Sequence, residues 1–184
     1  MLKKIKEKQM YKDQWVEFYQ DQIELPDGSQ STYAYAKRQN GVGVVVVSNQ
    51  GKILLHKEHR YVIDDFSWEI QGGGIEEGES VAQAAIRELK EEAGIQVIEE
   101  SLISLGSFYP LHSFNTELVS LFMVVVEDEE IKENMIEESE HLEEHQFFSF
   151  DEVFLMIEAG KISDAMTANA VQLAIRKFGE NNAS

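Results

Sequence analysis

The chain has 184 residues, of which 43% are hydrophobic, and this is enough for one globular domain with a buried core. It has no cysteine, so disulfides, thiolate metal sites and cysteine nucleophiles are excluded. The formal net charge of -18 disfavours a nucleic-acid polymer as partner, because phosphate backbones repel an acidic protein. No apolar run has the length of a signal-peptide core or a membrane span, so we expect a cytoplasmic protein that does not bind membranes.

Two aromatic runs occupy residues 15 to 25 and 30 to 37. The turn sequence from Pro26 to Gly28 separates them, and the pattern predicts a β-hairpin. Two strands alone are marginally stable in water, so the hairpin is expected to pack on the rest of the chain or on a second subunit. We therefore predict an extension over residues 1 to 40 that acts as a dimerisation element in a homodimer.

Residues 41 to 178 alternate strand and helix patterns and are predicted to form the main domain, followed by a frayed tail at 179 to 184. Residues 127 to 144 contain ten acidic residues and one lysine, which is typical of a mobile loop. The predicted strands are 41 to 48, 52 to 61, 66 to 70, 102 to 109, 118 to 126 and 146 to 150. The later helices are predicted between Ser149 and Gly160 and at 164 to 178.

The first helix is predicted over residues 80 to 93. Ser80 and Gln83 form a capping-box pattern, and Gly94 is a typical C-terminal stop. The four-residue spacing predicts a buried stripe made of Val81, Ala85 and Leu89.

Four glutamates crowd this helix and the loop before it, namely Glu79, Glu88, Glu91 and Glu92, with Glu76 and Glu77 nearby. Like charges at this density repel one another unless a cation lies among them. The triplet from Gly72 to Gly74 is expected to let the preceding backbone approach closely and turn with positive φ, so that a main-chain carbonyl can join the carboxylates. Such oxygen ligands suit Mg²⁺ or Mn²⁺.

A solvated charged face is the ordinary interpretation of a glutamate-rich helix, but the spacing here is specific. The chain matches the pattern G-x5-E-x7-R-E-U-x-E-E-x-G-U, where U is apolar, at every defined position. This pattern resembles the signature of the Nudix hydrolases. The matching residues are Gly73, Glu79, Arg87, Glu88, Leu89, Glu91, Glu92, Gly94 and Ile95.

The resemblance implies an α+β fold, an α/β/α sandwich with a mixed sheet, to which the hairpin is added. It implies hydrolysis of a nucleoside diphosphate linked to another group, with Glu88 and Glu92 as metal ligands. Glu91 and the Gly72 carbonyl are further possible ligands. Arg87 would orient the carboxylates, and Glu91, if it is not a ligand, would share this catalytic role with Arg87. Glu79 would support the loop or a second metal.

Four features are similar to the ADP-ribose and nucleotide-sugar pyrophosphatases of this family. They are the aromatic hairpin, the Glu58-x-Arg60 segment, Pro110 fifteen positions after Ile95, and the ESEHL stretch that begins at Glu138. This likeness implies hairpin exchange in a homodimer, a substrate diphosphate bound by Arg60, and a loop glutamate that activates water. Glu138 matches that glutamate best and Glu140 next. The chain departs from the group at Ile70 to Gly73, where Leu-Pro-Ala-Gly is usual, and this puts the substrate preference in doubt.

The predicted reaction is Mg²⁺-dependent hydrolysis of a nucleoside diphosphate sugar, most simply ADP-ribose, to a nucleoside monophosphate and a sugar phosphate. The alternatives are GDP-mannose, a dinucleoside polyphosphate or NADH as substrate, or a non-catalytic nucleotide-binding regulator. The histidines are interpreted as ordinary, including His141 and His145. The predicted substrate-binding residues are Arg60, Trp15, Phe18, Tyr19 and Pro110, with Tyr33 as a further aromatic.

Overall fold

The computed structural model describes residues 1–127 and 142–182 and divides into two compact units. The first unit comprises Met1–Asn40 together with Tyr109–Val119. The second comprises Gly41–Phe108 and the described residues from Ser120 onward. Among the described helices, none is both long enough and apolar enough to cross a membrane.

The first unit contains an antiparallel sheet centred on its third strand. The strands are β1 (Lys3–Lys6), β2 (Gln9–Lys12), β3 (Glu17–Glu24) and β4 (Gln30–Lys37). Because β4 pairs with the whole of β3, the two N-terminal strands share the opposite edge of β3, one after the other. The predicted hairpin is confirmed, and β1 and β2 are additions that the sequence did not indicate. Their residues are exposed along their whole length and carry no apolar alternation, so only pairing with β3 defines them.

The turn of the hairpin and the 109–119 segment complete this unit. Gly28 adopts a φ of 84°, and the Leu25 amide donates to the Ser29 carbonyl at 2.8 Å. The Ala36 amide donates to the Phe114 carbonyl at 2.8 Å. The 109–119 segment therefore belongs with the hairpin, although it lies far from it in sequence.

The second unit is a seven-stranded sheet with helices on both faces. The order is β11-β6-β5-β10-β9, with β7 paired to β6 and β8 paired to β5. Its strands are β5 (Gly41–Ser48), β6 (Lys52–Arg60), β7 (Asp65–Glu69), β8 (Gln71–Gly74), β9 (Ile103–Phe108), β10 (Val119–Val126) and β11 (Leu142–Ser149), and its helices are α1 (Val81–Ala93), α2 (Phe150–Glu158) and α3 (Ala165–Asn182), with a 3-10 turn at Glu99–Ser101.

The core of this unit lies on both sides of β5, which is buried along its whole length. Successive side chains of a strand point to opposite faces. The face that contains Val44 and Val46 packs against α1 through Ala85 and Leu89. Helix α3 packs on β5 with Val171 buried, and this produces the predicted α/β/α layering. The α+β fold with a mixed sheet is thereby confirmed.

The ends of α1 confirm the sequence prediction. The Ser80 hydroxyl accepts from the Gln83 amide, the Gln83 side chain accepts from the Ser80 amide, and Gly94 ends the helix with a φ of 64°. The predicted buried stripe is wrong at Val81, which is exposed. The buried face is instead made of Ala84, Ala85, Leu89 and Ala93, together with Glu88 and Glu92.

The prediction that the glycine triplet turns with positive φ is wrong. Gly72 and the two glycines after it belong to the extended strand β8, and none of the three has a positive φ. A Cβ at Gly72 would lie 2.3 Å from the Val42 carbonyl oxygen and 2.9 Å from the Cα of Gly43. The glycine is therefore needed for close approach of β8 to β5 rather than for a turn.

Two predicted element boundaries also differ from those in the structure. Strand β11 begins at Leu142, which pairs with Glu58 of β6, so the loop prediction is wrong for residues 142 to 144. Helix α3 continues to Asn182, beyond the predicted end at residue 178. Pairing with β6 extends β11 into acidic sequence that has no strand pattern of its own.

We expect Gly72→Ala to lower the free energy of unfolding by about 1–3 kcal/mol, because its Cβ must displace backbone atoms of β5. Gly179→Ala is the matched control, since a Cβ there meets nothing within 4 Å. Alanine favours the helix at that position and should raise stability by up to about 1 kcal/mol. Urea denaturation of the two variants measures both values, and equal stabilities would contradict the close packing of β8.

Candidate active site

Arg87 is the centre of the charged cluster on α1. Its Nε donates to Glu79 Oε1 at 3.0 Å, and its Nη1 donates to Glu88 Oε1 at 2.8 Å and to Glu91 Oε2 at 2.9 Å. Its Nη2 donates to the Gly74 carbonyl at 2.8 Å. Burial alone would lower the pKa of Arg87, but the hydrogen bonds to Glu79 and Glu88 outweigh it and raise the pKa above its ordinary value. Arg87 therefore stays charged and ties the loop before α1 to the helix.

Glu88 and Glu92 lie one helical turn apart and are 7% and 6% exposed. Both side chains lie against β8. The Gly72 amide donates to Glu92 Oε2 at 2.8 Å. A Cβ at Gly73 would lie 2.3 Å from Glu88 Oε1, so the Glu88 carboxylate occupies the space that glycine leaves open. The glycines of β8 thus allow both carboxylates to pack against the strand.

The donor set fits a hard divalent cation. Glu79, Glu88 and Glu91 share the Arg87 guanidinium, and Glu92 lies one turn after Glu88 on α1, so the cluster carries three negative charges in excess when all four are ionised. Carboxylate oxygens of this kind are the ligands that Mg²⁺ and Mn²⁺ prefer. In the part of the chain that the structure describes, no three acidic or histidine side chains converge on one coordination point. Arg87 holds Glu88 and Glu91 instead.

Arg60, predicted to grip a phosphate, is held between two carboxylates at the end of β6. Its Nε donates to Glu69 Oε1 at 2.9 Å, and its Nη2 also bonds Glu69. Its Nη1 donates to Glu58 Oε1 at 2.9 Å. The hydrogen bond to Glu69 is the main cause that raises the pKa of Arg60 above its ordinary value. The side chain is half-exposed, and its Nη2 also lies 2.9 Å from Glu58 Oε2, so each carboxylate pairs with two nitrogens of the guanidinium.

Two of the predicted base-binding aromatics are engaged inside the first unit. Tyr19 is buried, its ring stacks on Tyr35 with centroids 5.4 Å apart, and Lys37 Nζ lies 3.9 Å from its centroid. The ring centroids of Phe18 and Phe114 are 6.2 Å apart. Both rings thus have protein neighbours nearby.

Trp15 and Pro110 also belong to the first unit, but they are less enclosed. Trp15 is 75% exposed, and its amide donates to Asp13 Oδ1 at 2.8 Å. Pro110 lies in the turn that follows β9. The roles of all four residues remain predictions. Glu138 and Glu140, the predicted bases, lie outside the described residues.

Several polar residues beside the carboxylates were missed by the sequence analysis. Glu69 is the partner of Arg60. His56 and Gln71 are buried beneath α1. The Nε2 of His145 lies 2.6 Å from the Glu92 carbonyl oxygen. Each lies on a strand, and only the pairing of the strands brings it close to α1 or to Arg60. The one available signal was the alternation in β7, which places Ser67 and Glu69 on one face.

The chain is similar to proteins of known family. The NUDIX domain family matches residues 37–169. The chain is 31% identical to an ADP-ribose pyrophosphatase of Bacillus subtilis (strain 168) over 175 residues, covering 92% of this chain and 90% of the relative. It is 30% identical, with the same coverage, to a methanol dehydrogenase activator of Bacillus methanolicus.

A solved structure described as an ADP compounds hydrolase has the same fold. Its TM-score is 0.78 at 18% sequence identity, and the match covers 98% of this chain and 95% of the other. The region that the family matches contains strand β8, helix α1 and the carboxylates around Arg87. The chain belongs to the Nudix hydrolase family.

Proposed function

We propose that this enzyme hydrolyses the pyrophosphate bond of ADP-ribose with Mg²⁺, giving AMP and ribose 5-phosphate. The observation that carries the proposal is the pair of buried carboxylates, Glu88 and Glu92, which pack against strand β8 beside Arg87. The likeness to the Bacillus subtilis ADP-ribose pyrophosphatase over nearly the whole chain supports the choice of substrate.

In this proposal Glu88 and Glu92 hold the cation, with Glu91 and the Gly72 carbonyl as additional ligands. A bound Mg²⁺ would neutralise charge on the pyrophosphate oxygens and lower the pKa of the attacking water. Arg87 keeps Glu88 and Glu91 from repelling each other, because it bonds both at 2.8–2.9 Å. Since the Gly72 amide already holds one oxygen of Glu92, that carboxylate is oriented before any ligand arrives.

Arg60 is proposed to bind the substrate diphosphate by exchanging its contact with Glu58, the more exposed of its two carboxylate partners. Glu58 and Glu69 fix the plane of this group. Trp15 is the proposed stacking partner of the base, because its ring is exposed while Phe18 and Tyr19 pack against other aromatics. A homodimer built on the first unit remains part of the proposal. Glu138, or otherwise Glu140, is proposed as the base that accepts the proton of the attacking water.

Activation of a dehydrogenase is the second candidate function, because a methanol dehydrogenase activator is 30% identical to the chain over 92% of its length, and NADH stays an alternative substrate. A purely regulatory role is less well supported, because every carboxylate of the motif is present and Glu88 and Glu92 are buried in the arrangement described above.

A substrate panel tests the proposed function directly. We expect kcat/KM for ADP-ribose to exceed the values for GDP-mannose, UDP-glucose, NADH and diadenosine polyphosphates by at least about tenfold, a difference of about 1.4 kcal/mol in transition-state binding. Chromatography of the products should show AMP in equal amount to ribose 5-phosphate, with EDTA abolishing turnover. A faster reaction with any other member of the panel would reject ADP-ribose as the preferred substrate.

Glu92→Gln should lower kcat by at least about 100-fold, because it removes a charged metal ligand worth several kcal/mol. The exposed Glu100→Gln is the matched control and should keep the native rate. Circular dichroism checks the fold, and Mn²⁺ binding by electron paramagnetic resonance should weaken in Glu92→Gln. Glu138→Gln or Glu140→Gln should instead lose turnover while keeping Mn²⁺ affinity. A native rate for Glu92→Gln at saturating Mg²⁺ would refute the ligand assignment.

Arg60→Lys should raise KM for ADP-ribose by about 10- to 100-fold and change kcat little, because lysine cannot make the paired hydrogen bonds of a guanidinium. Glu58→Gln should lower KM, since it removes one carboxylate that competes with the substrate for Arg60. Initial rates measured over a range of ADP-ribose concentrations separate the two parameters. If Arg60→Lys lowers only the melting temperature, Arg60 serves the ion pair with Glu69 and not the substrate.

A further inference from the structure

Two polar side chains under α1 are buried without the hydrogen bonds that such groups normally make. Both ring nitrogens of His56 and both amide atoms of Gln71 are inaccessible, and in the described part of the chain none of them has a hydrogen-bond partner. His56 is 1% exposed and Gln71 is 0% exposed. Each unsatisfied buried donor or acceptor costs about 1–3 kcal/mol, so four together call for a bound partner.

The topology of the sheet places both residues on the face that carries α1. Strands β5 and β6 pair at Val46 and Leu54, and β7 and β8 then enter between them. Gln71 pairs with Val44, which lies on the same face of β5 as Val46. His56 follows Leu54 by two residues on β6 and therefore shares this face. The two side chains thus occupy the place where the two central strands separate.

His56 lies between two carboxylates. Its Nδ1 is 4.0 Å from Glu92 Oε2, and its Nε2 is 3.8 Å from Glu58 Oε2. Both distances exceed that of a direct hydrogen bond. In either pair, a water about 2.8 Å from the ring nitrogen and from the carboxylate oxygen can bridge the two atoms, with an angle of about 90° at the water. On the neighbouring strand His145 pairs with His56, and its Nε2 contacts the Glu92 carbonyl oxygen. The C-terminal turn of α1 is thus held from below by residues of the sheet.

We propose that His56 and Gln71 are positioning residues that share an internal water and, through it, hold the Glu92 carboxylate in its metal-binding orientation. This rests on the proposed function, in which Glu92 is a metal ligand. The Gly72 amide fixes Glu92 Oε2 from one side, and the water held by His56 supplies a second donor to the same oxygen. A donor on each side limits rotation of the carboxylate. The amide of Gln71 provides both a donor and an acceptor for the same water, which suits a polar site with several partners.

The experiment measures the dissociation constant of Mn²⁺ from the substrate-free protein by electron paramagnetic resonance. His56→Leu and Gln71→Met each replace a polar group by an apolar side chain of similar size, so neither leaves a large cavity. Each is expected to weaken Mn²⁺ binding by about 10- to 100-fold, the usual effect of losing a group that orients a metal ligand. Native Mn²⁺ affinity in either variant would overturn the shared role.

Two further variants separate the ring nitrogens of His56. His56→Asn keeps a polar group at the Nδ1 position, which faces Glu92, and should retain most of the Mn²⁺ affinity. His56→Gln keeps one at the Nε2 position, which faces Glu58, and should bind Mn²⁺ as weakly as His56→Leu. Equal affinities for the Asn and Gln variants would contradict a role directed at Glu92, even if His56→Leu failed to fold.

Glu92→Gln is the reference that keeps the two proposals apart. If Glu92→Gln binds Mn²⁺ as tightly as the native protein, the metal assignment itself fails. If Glu92→Gln weakens binding while His56→Leu and Gln71→Met do not, the metal assignment survives and only the positioning role is lost.

Discussion

The site depends on the close contact between helix α1 and the glycine strand β8. At Gly72 the absence of a side chain lets β8 lie against β5, and its amide is then free to hold Glu92. At Gly73 the same absence makes room for the Glu88 carboxylate. A side chain at either position would push the helix or the strand away. Two glycines thus allow two carboxylates to be buried in the contact between helix and sheet.

Burying acids next to one another is costly unless charge compensates, and Arg87 supplies the fixed part of that compensation. It bonds Glu79 before the helix and both Glu88 and Glu91 on it, so the arginine also closes the loop that joins β8 to α1. The hydrogen bond from Arg87 is the main cause that lowers the pKa of Glu79. One guanidinium cannot balance four carboxylates, and the remaining negative charge is what makes the site suited to a divalent cation.

The parts of this arrangement that are local in sequence could be predicted, and those that depend on strand pairing could not. Ser80, Gln83 and Gly94 specify the ends of α1 through contacts within a few residues, and both ends were predicted. The glycine triplet was predicted only in part, because a run of glycines signals a turn as well as close approach of the backbone. Only the pairing of β8 with β5 reveals that a side chain at Gly72 would meet the Val42 carbonyl oxygen. Strands β1 and β2 were missed for the same reason, since their pattern is polar and only β3 defines them.

The separation of β5 and β6 explains why the polar residues beneath α1 escaped notice. Where β5 and β6 pair directly, this face carries the apolar pair Val46 and Leu54. Entry of β7 and β8 instead brings Glu69 opposite His56 and Gln71 opposite Val44. The apolar pairs between β5 and β6 therefore end where the polar groups begin, while Val42 and Val44 of β5 stay in the core. A low-dielectric wall on one side strengthens every electrostatic interaction at this boundary. The same separation of β5 from β6 is what allows polar residues of the sheet to approach the carboxylates of α1.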